Sequence, residues 1–93
     1  MIKTFTCRET EKIFNREASK KLPPDIHRVA LRKLNYLYAA KTLKDLFVPP
    51  GNNLERLKGN RQGQHSIRIN NQWRICFEWR NGDAYNVEIT DYH

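Results

Sequence analysis

The run from residue 64 to residue 90, QHSIRINNQWRICFEWRNGDAYNVEIT, decides the fold. Apolar and polar residues alternate along it, which is the period of half-buried strands. His65, Ile67 and Ile69 fall on one side of a strand over 64–70, opposite Ser66, Arg68 and Asn70. Trp73, Ile75, Phe77 and Trp79 make one side of a strand over 73–80, opposite Arg74, Cys76 and Glu78. Tyr85, Val87 and Ile89 face inward on the last strand. A register slip of one residue would send every side chain to the wrong face, so burial sets the pairing. A three-residue loop at Asn70-Asn71-Gln72 pairs Ile69 with Trp73 and Ile67 with Ile75. Asn81-Gly82 looks like a two-residue hairpin turn, but that turn pairs Trp79 with Ala84 and Ile75 with Glu88 and mixes the faces. A three-residue or bulged turn over Asn81–Asp83 is expected instead, pairing Trp79 with Tyr85, Phe77 with Val87 and Ile75 with Ile89.

The polar face follows from this register. Arg68 stands opposite Arg74, and Arg74 opposite Thr90. Like charges directly across a sheet repel, so a chain that keeps them has an anion for them to hold. The plainer alternative is that Glu78 or Glu88 neutralises them, or that both point into water. Between the strands, residues 55–65 carry Arg56, Lys58, Arg61 and His65 around Gly59 and Gly63. Lys58 can meet a phosphate as a point charge. From Leu54 to Arg80 there are six Lys and Arg against two acids, interleaved with aromatics. That pattern belongs to nucleic-acid binders. The chain ends Asp91-Tyr92-His93, where Tyr92 shares its side with Thr90 and so with Arg74. The imidazole of His93 titrates near neutral pH and suits proton transfer.

Upstream, the period changes. Ile2 to Thr6 alternates as a short strand. Glu9 to Ser19 carries a narrow apolar stripe of Ile13, Phe14 and Ala18 and reads as a helix. Pro23-Pro24 suits the entry of a second helix, over Pro24 to Ala40, whose apolar face is Ile26, Val29, Ala30, Leu34 and Leu37. Lys41 to Phe47 is a helical turn, Pro49 to Asn53 a loop, and Leu54 to Leu57 a short strand. The expected fold is α+β: an N-terminal strand and a two-helix hairpin on one face of a mostly antiparallel sheet.

Ninety-three residues make one domain, 1–93, with one core. A net charge of +7 and a pI near 9.7 point to a polyanionic partner. Cys7 and Cys76 cannot by themselves build a zinc site, and no spaced His pair completes one, so no metal or cofactor is expected. The N-terminus has no apolar signal segment and no run is long enough to span a membrane; the expectation is a cytoplasmic protein without a membrane partner.

Several pieces together resemble a known family. Gly59-Asn60-Arg61, Gln64-His65-Ser66-Ile67, Asn71-Gln72-Trp73-Arg74-Ile75-Cys76-Phe77, Gly82-Asp83-Ala84-Tyr85 and the closing Asp91-Tyr92-His93 are similar to the HigB-type toxins of the RelE/ParE superfamily. The opening Met1-Ile2-Lys3-Thr4-Phe5 fits as well. The resemblance implies mRNA endonuclease activity without a metal, on translating ribosomes, and a partner antitoxin with a helix-turn-helix domain through which alone operator DNA is met. It implies catalytic roles for Lys58, Arg74, Asp91, Tyr92 and His93. Some relatives carry a His two positions before the place of Leu57; here Glu55 stands there, so a carboxylate is the candidate base or the role is absent. Arg56, Arg61, His65 and Arg68 are expected to hold RNA. A non-catalytic nucleic-acid or ribosome-binding module would explain the charge and the Arg pair equally well, and a gyrase-directed toxin would explain the fold but predicts DNA damage rather than RNA loss.

Overall fold

A computed structural model describes residues 1–91. The helices are α1, Arg8–Phe14, and α2, Pro24–Ala39. The strands are β1, Glu55–Arg56, β2, Gln64–Arg68, β3, Trp73–Arg80, and β4, Asp83–Asp91. They pair antiparallel in the order β1-β2-β3-β4, a simple meander.

α2 begins on Pro24, where a missing N–H costs nothing, and carries Asp25 in its first turn, where the helix dipole favours it. Its buried face holds Ile26, Ala30, Leu34 and Leu37, and it ends where Ala40 turns extended. α1 is shorter than its sequence suggests. It stops at Phe14 because Arg16 takes a left-handed φ of 63°, while Glu17 N–H bonds Lys12 C=O and Arg16 N–H bonds Ile13 C=O. This is a Schellman ending built on Arg rather than Gly, so the residue that usually marks it is missing. Ser19 then folds back to donate to Glu9 at 2.7 Å, and Thr10, fully buried, accepts the Ile89 N–H at 2.8 Å. A turn over Leu43–Phe47 is closed by a Thr42–Asp45 capping box.

The core forms between these helices and one sheet face: Ile13, Leu22, Ile26, Ala30, Leu34 and Leu37 against Ile67, Ile69, Ile75, Phe77, Val87 and Ile89. Among the described residues neither α1 nor α2 supplies core residues to the other sheet face, whose centre, Ser66, Arg74 and Cys76, is nonetheless buried.

The β2–β3 pairing follows the alternation, with Ile67 opposite Ile75 and Arg68 opposite Arg74. The β3–β4 hairpin departs from it. Its turn is the two-residue Asn81-Gly82, with both residues at positive φ (52° and 82°), so Trp79 pairs with Ala84 and Glu78 with Tyr85. The extra residue sits in the strand instead. A bulge opposite Phe77, with Asn86 at φ 53°, shifts the register so that Cys76 meets Glu88, Ile75 meets Ile89 and Arg74 meets Thr90. The expected pairing of Ile75 with Ile89 therefore stands, while Tyr85 turns outward, under the Arg80 guanidinium 4.1 Å from its ring centre.

The N-terminal segment runs parallel to β4 and covers its edge. It touches at two bridges, Ile2 with Ala84 and Phe5 with Val87, rather than as a continuous strand. Asn86 breaks the ladder between them, giving its N–H to Thr4 Oγ1 at 2.7 Å.

Candidate nucleic-acid site on the open sheet face

Alternation from the bulge-corrected register places three cross-strand rows on the open face. Arg68, Arg74 and Thr90 form one; Glu55, Ser66, Cys76 and Glu88 the next; Gln64, Glu78 and Tyr85 the third. At the first row lies a cleft of about 310 Å³ lined by Asn53, Glu55, Arg68, Asn70, Asn71 and Arg74. A groove of about 370 Å³ between the helices also exists, but its one imidazole, His27, already contacts the Leu22 carbonyl at 2.9 Å.

Arg74 is the fixed element of the cleft. Its side chain is 7% exposed. Nε donates to Ser66 Oγ at 2.7 Å, and Nη2 donates to the Asn53 carbonyl at 2.6 Å and more weakly to the Ser66 carbonyl at 3.4 Å. Nη1 lies 3.7 Å from Glu55 Oε1. Arg68, across the strand, donates to Asn71 Oδ1. The two acids named as the neutralising alternative are engaged elsewhere: Glu88 binds Arg61 at 2.7 Å, and Glu78 accepts from Asn86 and neighbours Arg80. Among the described residues Glu55 is the carboxylate that lines this cleft, and it is 43% exposed at its rim.

The other expected residues scatter. Arg61 lies on the same open face, bridging Gln64 and Glu88. Arg56 and His65 pair with each other on the opposite side of the sheet, at the β1 edge beside Leu43 and Phe47. The His65 ring lies 5.8 Å from that of Phe77; burial, and then the charge of Arg56, hold its pKa below the ordinary imidazole value. Lys58 begins the turn Gly59–Arg61, beyond the level of Gln64. Four residue steps along β2 separate Gln64 from Arg68, about 13 Å at the strand rise, so Lys58 starts well away from the Arg68–Arg74 row. Asp91 closes β4 opposite Trp73 and accepts from Gln72 Nε2 at 3.0 Å. Tyr92 and His93 lie outside the described residues. Among the described residues no three His, Cys, Asp or Glu gather as a metal site, and no helix is long and apolar enough to cross a membrane.

The alternation had not singled out Asn52, Asn53, Lys33 or Ser66. Asn52 is fully buried and Asn53 sits in the left-handed region at φ 45°. Asn-Asn after Pro-Pro-Gly was the available signal, since Asn tolerates that conformation.

Two helices on one face of an antiparallel meander, with a basic cleft on the other, define the class: the fold is that of the RelE-like toxins. A chain of the heterotetrameric YoeB–YefM toxin–antitoxin complex of Staphylococcus aureus superposes with a TM-score of 0.57 at 20% identity, covering 100% of this chain and 98% of that one. YafQ of E. coli superposes with a TM-score of 0.56 at 11% identity, covering 98% and 93%. The model of the HigB-like toxins, RelE-like toxins of type II toxin–antitoxin systems, matches residues 3–93, and the chain belongs to that family. Toxin HigB-1 of Vibrio cholerae is 46% identical over 68 residues, 73% of this chain and 72% of that protein. Endoribonuclease HigB of Proteus vulgaris is 50% identical over 40 residues, 43% and 44% of the two chains. The protein is thus the toxin half of a toxin–antitoxin pair.

Proposed function

We propose that this toxin is an endoribonuclease that cleaves mRNA on the ribosome, in the cytoplasm, and so stops translation. The observation that carries the reading is Arg74, a guanidinium locked on the floor of a cleft with Arg68 across the strand and Glu55 at 3.7 Å. The name of the Proteus relative supports the same chemistry.

In the proposed step the RNA 2′-oxygen bonds to the adjacent phosphorus as the P–O5′ bond breaks. The products are a 2′,3′-cyclic phosphate and a free 5′-hydroxyl. The nucleophile belongs to the substrate, so the reaction needs no metal. Arg74 and Lys58 stabilise the charge that develops on phosphate. Glu55 takes the 2′-hydroxyl proton. His93 delivers a proton to the leaving oxygen, with Asp91 and Tyr92 orienting it. Arg61 and Arg68 hold RNA on the open face, and Arg56 and His65 at the β1 edge. The antitoxin carries a helix-turn-helix domain.

The test is to induce the toxin with and without its antitoxin and map the 5′ ends of cellular mRNA. Discrete new ends inside coding regions are expected with the toxin alone. They should vanish in Arg74→Ala, with a kcat loss of about 10²–10³-fold, and on deletion of His93. Intact mRNA with broken DNA would overturn the reading in favour of a gyrase-directed toxin. Full cleavage in either variant would remove that residue's role.

A further inference from the structure

The Arg74 guanidinium is held from a corner of chain that belongs to neither the sheet nor the helices. Asn52 has no exposed surface, and its amide is fully used. Oδ1 accepts from Lys33 Nζ at 2.6 Å, while Nδ2 donates to the carbonyls of Leu46, at 3.2 Å, and Val48, at 3.4 Å. An ammonium can only donate, so Lys33 dictates which end of the amide is oxygen and leaves Nδ2 for the two carbonyls. The next residue, Asn53, is left-handed at φ 45° and ψ 58°, and its N–H closes on the Pro50 carbonyl at 3.0 Å. That conformation presents the Asn53 carbonyl to Arg74 Nη2 at 2.6 Å.

Lys33 is a costly residue to use for packing. It is 4% exposed on a helix whose neighbouring buried positions are Ala30, Leu34 and Leu37. Burial, and then the charges of Arg32 and Arg68, push its pKa down. An apolar side chain of the same length would fill the space without burying a charge. What an apolar side chain cannot do is set the Asn52 amide.

We propose that Lys33, Asn52 and Asn53 form a positioning device for Arg74: α2 sets the amide, the amide sets the corner, and the corner's carbonyl aims the guanidinium into the cleft. This rests on the reading that Arg74 acts on the RNA phosphate. Lys33 and Asn52 are positioning residues and touch no substrate.

The experiment is a double-mutant cycle on the full chain with ribosome-bound mRNA, reading kcat, KM and, separately, Tm. Lys33→Met in the Arg74 protein should lower kcat about 10-fold with KM nearly unchanged. In an Arg74→Lys background, whose ammonium cannot span the Ser66 and Asn53 oxygens, Lys33→Met should cost no further kcat. The Tm loss from Lys33→Met should be the same in both backgrounds. Equal kcat losses in the two backgrounds, or no loss in either, overturns the proposal. If Lys33→Met fails to fold, the Asn53 pair carries the test. Asn53→Ala, strained at positive φ, should lose kcat, and Asn53→Gly should recover most of it; Gly no better than Ala overturns the proposal. Arg74→Lys with undiminished kcat would instead strike at the reading of the site, and this inference with it.

Discussion

At the scale of single residues, environment tells apart two groups that the alternation had already set on opposite sides of one strand. Arg68 and His65 both lie on β2 and both were expected to hold RNA. Arg68 stands in the cleft beside Arg74, whereas His65, three residues away, lies on the other side of the sheet against Phe77. The lowered pKa of the His65 imidazole makes it a pH sensor of stability. Between the lowered folded value and the ordinary 6.5, the unfolded chain binds the proton and the folded chain does not. Stability therefore rises with pH across that window and falls as acid is added. Urea unfolding at steps from pH 7.5 to 5 should show this slope in the parent protein and a flatter one in His65→Gln. An unchanged slope in the variant would place the titration elsewhere. Arg74 shows the opposite limit: its strand position and its like-charged neighbour were legible, but the Asn53 carbonyl that holds it comes from 21 residues upstream.

At the scale of elements, the β3–β4 hairpin shows how two local rules are both satisfied. Asn81-Gly82 favours a two-residue turn, because both positions accept positive φ. Burial demands that Ile75 face Ile89. Asn86 reconciles them by adding one residue to β4 and taking the left-handed conformation itself. Its amide is then occupied, donating to Glu78 at 2.7 Å and accepting from Thr4 at 3.3 Å. Asn86→Ala should cost about 1–2 kcal/mol, the penalty for a Cβ in that region without a local polar partner. Asn86→Gly should recover part of it in urea melts. If Ala and Gly are equally stable, the bulge is not held by backbone conformation. The early end of α1 has a similar origin. Arg16 takes the left-handed position that Gly usually marks, so the apolar stripe alone overran it to Ser19.

At the scale of the whole molecule, the helices bury one face of the sheet and leave the other for charge. Charge of both signs gathers there: Arg61, Arg68 and Arg74 share the open face with Glu55, Glu78 and Glu88. On the proposed reading, in which Lys58, Arg68 and Arg74 meet phosphate, the log–log salt slope for single-stranded RNA should be about −2, or roughly a 20-fold loss of affinity between 50 and 200 mM salt. Fluorescence anisotropy with a labelled RNA measures it. A slope near zero would mean that these cations do not meet phosphate.

The residue pattern by itself determined the α+β class, the β2–β3 register and the placing of Arg68 against Arg74, because strand periodicity and burial are local and repeat every two residues. Family membership followed from the same stretches together with the ends of the chain. What only the tertiary structure decided was the route by which Arg74 is held, the bulge at Asn86, and the placing of Arg61 and Arg56. Arg61 joins Arg68 and Arg74 on the open face, and Arg56 pairs with His65 on the other. These depend on contacts between residues far apart in the chain, on a left-handed Asn and on a buried ammonium. None of the three leaves a periodic signature. The feature from which the fold was read, the alternating run of β2 to β4, thus locates the cleft, but α2 and the Asn52–Asn53 corner give it its geometry.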